Sequence, residues 1–321
     1  MIEVFKSDLE TNVLTSFNEE QITAGDFSPK NCWFNLVNPS DKEVALVSSL
    51  TDVEDDIIKA ALDDEERSRI ENEDGRVMVL VDIPVIEEEA NYYSYFTIPL
   101  GAIIKGDSII TVSLKDTTIL RDFVRGRVKG FSTYKKTRFL FQILNNIATK
   151  FLAYLKQIDK ASQRIQNELH KSTRNKELIQ MLDLENSLVY FSTSLSGNDA
   201  VISKLLSSKT ILKIYEEDQD LLEDVAIDTK QAIEMCSIYR DILSGTMDAY
   251  ASVISNNLNI VMKVLTSVTL IISIPTLIAS LFGMNTGVPF EGKPWGFWIV
   301  VGISAVLSTI LAIFLKKKKL L

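Results

Sequence analysis

Two uncharged apolar runs constrain this chain more than anything else in it: Val264 to Met284, 21 residues, and Phe297 to Leu315, 19 residues. Each has the length, about 20 residues at 1.5 Å per residue, that a helix needs to cross roughly 30 Å of hydrocarbon. One such run would also suit the buried helix of a soluble protein. Two in tandem, the second followed by Lys316, Lys317, Lys318 and Lys319, read as a transmembrane pair. The 12 residues between them, 285–296, can reverse the chain but cannot hold a domain, so both ends of the hairpin emerge on one side. Lys263 before the first span and the lysines after the second put that side in the cytoplasm. "MIEVFKSDLETN" has no apolar core of a signal peptide, which agrees with that orientation. The expected location is the cell membrane, crossed twice, with cytoplasmic N- and C-termini.

The remainder of the chain is charged, and the net charge of −9 argues against nucleic acid, which requires a basic face. An acidic balance suits the handling of cations, although it is common among soluble proteins as well. Cys32 and Cys236 have no paired spacing and read as reduced, buried thiols. No nucleophile and base arrangement, metal-ligand spacing or Walker-type loop is visible, so an enzyme is not expected.

Short strand-like runs fill the first part of the chain: Cys32 to Asn38, Arg76 to Ile86, Tyr92 to Ile104 and Ser108 to Leu114. The last three are close in sequence and predict an antiparallel meander. Between the first two lies a helical pattern with acidic caps, giving an α/β domain over residues 1–135. From Lys136 the period changes to i, i+3, i+4, i+7 and predicts an antiparallel helix pair over 136–210, reversing at "HKSTRN", with the second helix weakened near Gly197. His170, the single histidine, is expected to be a capping or surface residue at that reversal.

A stalk helix over 211–263 follows, with Leu222, Val225, Thr229, Ile233, Cys236, Leu243, Met247, Tyr250 and Ile254 on its core side. It runs without a stop into the first span, 264–284. A loop (285–296), the second span (297–315) and a basic tail (316–321) complete the order. The four tail lysines suit either a ring around a pore or contact with anionic lipid.

Asn259, Thr266, Thr269, Ser273, Thr276 and Ser280 are spaced by 7, 3, 4, 3 and 4 residues, which places them within an arc of roughly 100°. Met262 falls on the same stripe. Small hydroxyl residues permit close helix packing and bond back to their own carbonyls; the same stripe could line water if several copies surround an axis. The second span has Ser304, Ser308 and Thr309 but no comparable stripe, and reads as the lipid-facing helix. Neither span holds an acid, so an ion on this path keeps its water, a condition that suits Mg²⁺.

Phe282-Gly283-Met284-Asn285 at the end of the first span, "NIVMKVLT" (Asn259 to Thr266), "IPTLIASLFGMN" and the lysine-terminated second span together resemble the CorA family of magnesium channels. The resemblance covers essentially the whole chain. It implies a homopentameric funnel of α/β domains and long helices above a two-helix transmembrane hairpin, with membrane lipid and divalent cations as its other partners. It further implies a selectivity filter at Gly283, Met284 and Asn285, a second polar ring at Asn259 and an apolar constriction at Met262 and Leu265, with Thr266, Thr269, Ser273, Thr276 and Ser280 lining the pore. Phe282 stands where the family usually has Tyr, so a phenolic hydroxyl is absent there. Gly283 and Asn285 also suit a plain helix C-cap, and Glu291 in the loop is offset by Lys293.

Six acids lie among the nine residues from Glu216 to Asp224, a pattern that fits a solvated helix start. The resemblance adds a regulatory role: Asp224 would bind Mg²⁺ with Glu87, Glu88 or Glu89 across a subunit boundary and favour a shut pore. The expected activity is passive, gated uptake of Mg²⁺, with Co²⁺ and Ni²⁺ also able to pass. A zinc transporter of the same family and a membrane-anchored coiled-coil scaffold are the competing readings.

Overall fold

The computed structural model describes residues 1–17, 19–23, 27–89, 92–171, 175–208, 211–289, 292–318 and 320. Lys319, Glu291, residues 90–91 and 172–174, and the side chains of Glu89 and His170 lie outside the described residues. The chain divides into two compact units, Met1–Gly245 and Thr246–Leu321.

The first unit is built on a seven-stranded sheet of order β2-β1-β3-β7-β6-β5-β4. Its strands are β1 (Ile2–Ser7), β2 (Leu14–Phe17), β3 (Cys32–Val37), β4 (Arg69–Glu73), β5 (Arg76–Glu89), β6 (Tyr92–Lys105) and β7 (Ser108–Ser113). β5, β6 and β7 form the expected antiparallel meander, while β3 joins β7 in parallel. Such a parallel join needs a crossover, supplied here by the helices after β3 and the meander itself.

β3 reads as an almost unbroken apolar run because both its faces are covered. Cys32, Phe34 and Leu36 face a core shared with Val44, Val47 and Ile58 of α2 (Asp41–Thr51) and α3 (Asp55–Lys59). On the other face Trp33 meets Phe123 of α4 (Thr118–Val124), Phe131, and Phe139 of α5 (Lys136–Lys171) at ring distances of 4.9–6.3 Å. Trp33 Nε1 donates to Thr111 Oγ1 at 2.8 Å, and that hydroxyl donates to Asn35 Oδ1 at 3.0 Å, so the polar atoms of this layer are satisfied.

Three strands depart from the sequence expectation. β1, β2 and β4 carry alternating or largely polar residues, and β2 and β4 are the sheet's edges, where one side of the strand needs no apolar cover.

α6 (Asn175–Ser207) is continuous through Gly197, the point where the sequence suggested weakness. A Cβ on Gly197 would lie 3.0 Å from Ser68 Oγ, so glycine lets the helix close on the chain just before β4. The next residue fastens the contact. The β4 pairing stops at Arg69 opposite Leu80, leaving the edge of β5 open at Asp82. There Asp82 N donates to Asn198 Oδ1 at 2.9 Å and Asn198 Nδ2 donates to Asp82 O at 2.8 Å, so one buried side chain replaces a missing strand.

α7 is a single helix from Glu216 to Phe282. In its first part Leu222, Val225, Thr229, Ala232, Cys236 and Leu243 are buried at 3-4 spacing, and Cys236 Sγ donates to Leu188 O of α6 at 3.1 Å. The core stripe therefore runs through Ala232, with Ile233 half-buried beside it; Met247 is also half-buried and Ile254 is exposed. In the second unit α7 continues to Phe282 and is followed by α8 (Gly296–Lys317).

Two outcomes follow from the α6 contact. Asn198→Ala removes both bonds to Asp82 and leaves a strand edge unpaired, so the melting transition of the first unit should drop by the equivalent of about 2 kcal/mol. Thr193→Ala, on the exposed face of the same helix, should leave the transition near its wild-type position; equal shifts for the two would refute the clamp. Burial raises the Asp82 carboxyl above the usual carboxylate range, partly opposed by a hydrogen bond from Ser194. A carboxyl raised in this way opposes folding when ionised: its penalty is absent below the unfolded value of about 4 and grows as pH rises toward the folded one. Asp82→Asn should accordingly raise the melting temperature at neutral pH and change little in acid, which a pair of thermal scans would check.

Candidate functional site

In the second unit, both helices are long and apolar enough to cross a membrane, and their contact face is set by residue spacing. On α7 Ser267 and Ile278 are buried and Ile271 and Ile274 half-buried, a stripe of spacing 4, 3 and 4. On α8 Gly296 and Leu315 are buried and Val300, Ser304, Ser308 and Leu311 half-buried between them. Ser308 Oγ donates to Ile271 O at 3.5 Å, and Ser267 Oγ donates to Leu320 O at 2.8 Å. Small residues at this seam let the backbones approach, the usual means of helix association in lipid. The outer face of α8 carries Phe297, Trp298, Val306, Ile310, Ile313 and Phe314, all more than half exposed. Such a surface is stable only against lipid or another apolar partner.

The polar stripe faces away from this seam. At 100° per residue, Asn259, Thr266, Thr269, Ser273, Thr276 and Ser280 centre roughly 140° from the seam with α8, and each is exposed. Met262 and Leu265, on the same side, are 51% and 58% exposed. The second span thus covers the Ile-rich back of α7 and leaves its oxygens open.

Those oxygens are polarised. Thr269 Oγ1 donates to Leu265 O at 2.8 Å, Ser273 Oγ to Leu270 O at 2.8 Å and Thr276 Oγ1 to Ile272 O at 3.1 Å. Each hydroxyl spends its one proton on the helix itself, so what it presents outward is acceptor lone pairs. Back-bonding of this kind and a water-facing role are therefore compatible; the first orients the second.

α7 ends at Phe282, and Gly283 N donates to Ala279 O at 2.9 Å to close the last turn. Gly283 and Asn285 are not among the described residues with left-handed backbone angles, so the left-handed cap that their composition suggests is not what ends the helix. A Cβ on Gly283 would sit a tight 3.3 Å from Ala279 O, a contact that glycine avoids. Met284 and Asn285 follow the last turn and are exposed. Lys293 of the loop rests over the Trp295 ring at 5.1 Å.

The acids of the first unit are separate sites. Within the run at the start of α7, Asp218 turns inward and pairs with Arg138 at 2.8 Å, a partnership between residues 80 apart that local sequence patterns do not reveal. Asp224 is exposed. Glu87 is ion-paired with Lys115, whose ammonium sits 4.8 Å from the Phe96 ring, and Glu88 is exposed beside a groove with Tyr93 and Tyr95. Among the described residues of one chain, no three His, Cys, Asp or Glu side chains converge to hold a metal ion.

Comparison with known proteins agrees with this architecture. The cobalt/magnesium transport protein CorA of Methanocaldococcus jannaschii is 28% identical over 288 residues, 87% of each chain. The solved complete structure of that organism's CorA magnesium transporter superposes with a TM-score of 0.80 at 25% identity, covering 98% of this chain and 97% of the other. The full-length CmaX protein shares the fold, with a TM-score of 0.70 at 15% identity over 98% of this chain and 97% of that one. A family model described as CorA-like Mg²⁺ transporter protein matches residues 28–317. An N-terminal α/β unit, a long helix and a C-terminal pair of membrane-length helices, matched over nine-tenths of the sequence, make this chain a member of the CorA-like Mg²⁺ transporter family.

Proposed function

We propose that this protein is a homopentameric channel for passive, gated Mg²⁺ uptake across the cell membrane, with both termini in the cytoplasm. The observation that carries this reading is the position of the polar stripe on the side of α7 that α8 leaves uncovered. Five such faces turned toward one axis enclose a path of neutral acceptor oxygens, whereas one hairpin alone encloses nothing. Thr266, Thr269, Ser273, Thr276 and Ser280 line the path and Asn259 forms a polar ring at its inner end. Met262 and Leu265 make a constriction that closes by excluding water.

At the outer end, the amide oxygens of Asn285 accept hydrogen bonds from the ion's water, with Gly283 and Met284 shaping the turn. Mg²⁺ gives up water reluctantly, so a filter without carboxylates suits it; Co²⁺ and Ni²⁺ pass by the same chemistry. A membrane potential contributes about 2.3 kcal/mol per charge per 100 mV, roughly 4.6 for a divalent ion, enough to drive entry without ATP. A zinc transporter or a scaffold fits less well, since neither calls for an uncovered hydroxyl stripe ending at Gly283-Met284-Asn285.

Gating follows from the cytoplasmic acids. Intracellular Mg²⁺ bridges Asp224 of one copy to the acidic end of β5 in the next, at Glu87, Glu88 or Glu89, and holds the pore shut. A bridge between copies accords with the lack of a three-ligand cluster among the described residues of one chain.

Liposomes loaded with a Mg²⁺-sensitive dye test both parts. Wild-type protein should give a dye response that Asn285→Ala abolishes or cuts by at least an order of magnitude; equal responses would remove Asn285 from the filter. Asp224→Ala should keep flux high at internal Mg²⁺ concentrations that shut the wild type, and an unchanged dependence on internal Mg²⁺ would rule out the bridge.

A further inference from the structure

A groove of about 610 Å³ in the first unit plays no part in the ion path. Its walls come from the end of the β5–β6 hairpin, the second half of α5 and the first turns of α6. Six charged side chains surround it: Glu88, Arg164, Glu168, Lys176, Glu177 and Asp183. Four acids against two bases leave a net charge of −2, and among the described residues none of the six makes an ion pair. Glu177 is only 9% exposed, and its Oε2 is buried with no hydrogen-bond partner. A buried carboxylate oxygen without a donor is costly, and a ligand that brings a cationic donor to the Glu177 carboxylate relieves that cost.

We propose that this groove binds an organic polycation of the polyamine class. A single metal ion does not suit it, because the carboxylates are distributed along the groove and no three converge. Between them lie Ile165, Leu184 and the ring of Tyr95, each at most 8% exposed. A hydrated ion would set its water against those apolar surfaces, whereas methylene segments rest on them and ammonium groups reach the separated carboxylates. Tyr93, 52% exposed at the rim, adds a ring face for an ammonium. Arg164 and Lys176 limit the net attraction, so binding depends on charges being matched along the groove and not on bulk potential. This ligand is distinct from the transported ion, and its binding requires nothing of the pore reading.

Titration calorimetry of the full-length protein in detergent, with spermidine as the probe at near-physiological salt, tests the assignment. Saturable binding of one spermidine per chain is expected, weakened about tenfold in Glu177→Gln and in Asp183→Asn, the loss that one charge-assisted hydrogen bond carries. Glu168→Gln, on the exposed side of the groove, serves as an independent variant should the buried ones fail to fold. Glu88 is left intact because it is also a candidate in the Asp224 bridge. Absence of saturable binding, or equal affinity in the folded variants, overturns the proposal. Displacement of spermidine by an equal concentration of MgCl₂ also overturns it and makes the groove an inorganic cation site. None of these results bears on flux through the pore, which the liposome assay reads separately.

Discussion

A helix in hydrocarbon must satisfy its backbone internally and can carry a bare charge at its centre only at high cost. A cation path along such a helix therefore has to be made of neutral oxygens, and those oxygens have to be kept away from lipid. α7 and α8 divide these requirements. α8 turns Phe297, Trp298, Ile310, Ile313 and Phe314 outward and sets Gly296, Ser304 and Ser308, with Val300, Leu311 and Leu315, toward α7, so it shields only the Ile-rich back of the first span. The hydroxyl stripe is left as the surface that other copies must cover, and the proposed assembly follows from what the hairpin cannot bury by itself.

Hydrogen-bond direction adds a second constraint. Because Thr269, Ser273 and Thr276 donate to backbone carbonyls, they cannot also donate outward. Water in a cation's shell points its hydrogens away from the ion and needs acceptors, which is what the stripe offers. An anion's water presents lone pairs and finds no donor at these three hydroxyls. Charge selection can in this way arise without charged residues, from rotamers fixed by the helix itself.

Much of this was legible in the sequence, for identifiable reasons. Membrane spans announce themselves by length and lack of charge, and the 3.6-residue period assigns the stripe to one face by spacing alone. β5, β6 and β7 could be read because central strands in a two-sided sheet are continuously apolar. The edges β2 and β4 could not, since a strand paired on one side needs little apolar content. α6 looked weak at Gly197 because glycine is a poor helix former in isolation; its value lies in the approach of Ser68, more than 100 residues away in the chain. Asp218 resembled its acidic neighbours, and only the fold sets Arg138 beside it. The proposed partner of Asp224 is of another kind: a contact between copies would leave no mark on the pattern of one chain.

At the outer end of the proposed path, helix geometry gives a reason why a filter could do without carboxylates. The last carbonyls of a helix have no amide partner and sum to roughly −0.5 elementary charge at its C-terminus. α7 ends at Phe282, so this partial charge falls beside Met284 and Asn285. Gly283 closes the final turn with its amide and has no Cβ to crowd Ala279 O, which keeps those carbonyls close to the turn that follows. A full carboxylate at this point would compete for the ion's inner shell and hold it. In the proposed filter the helix end and the amide oxygen of Asn285 attract the charge and offer neutral hydrogen-bond acceptors to the surrounding water, an arrangement that lets a strongly hydrated divalent ion arrive and also leave.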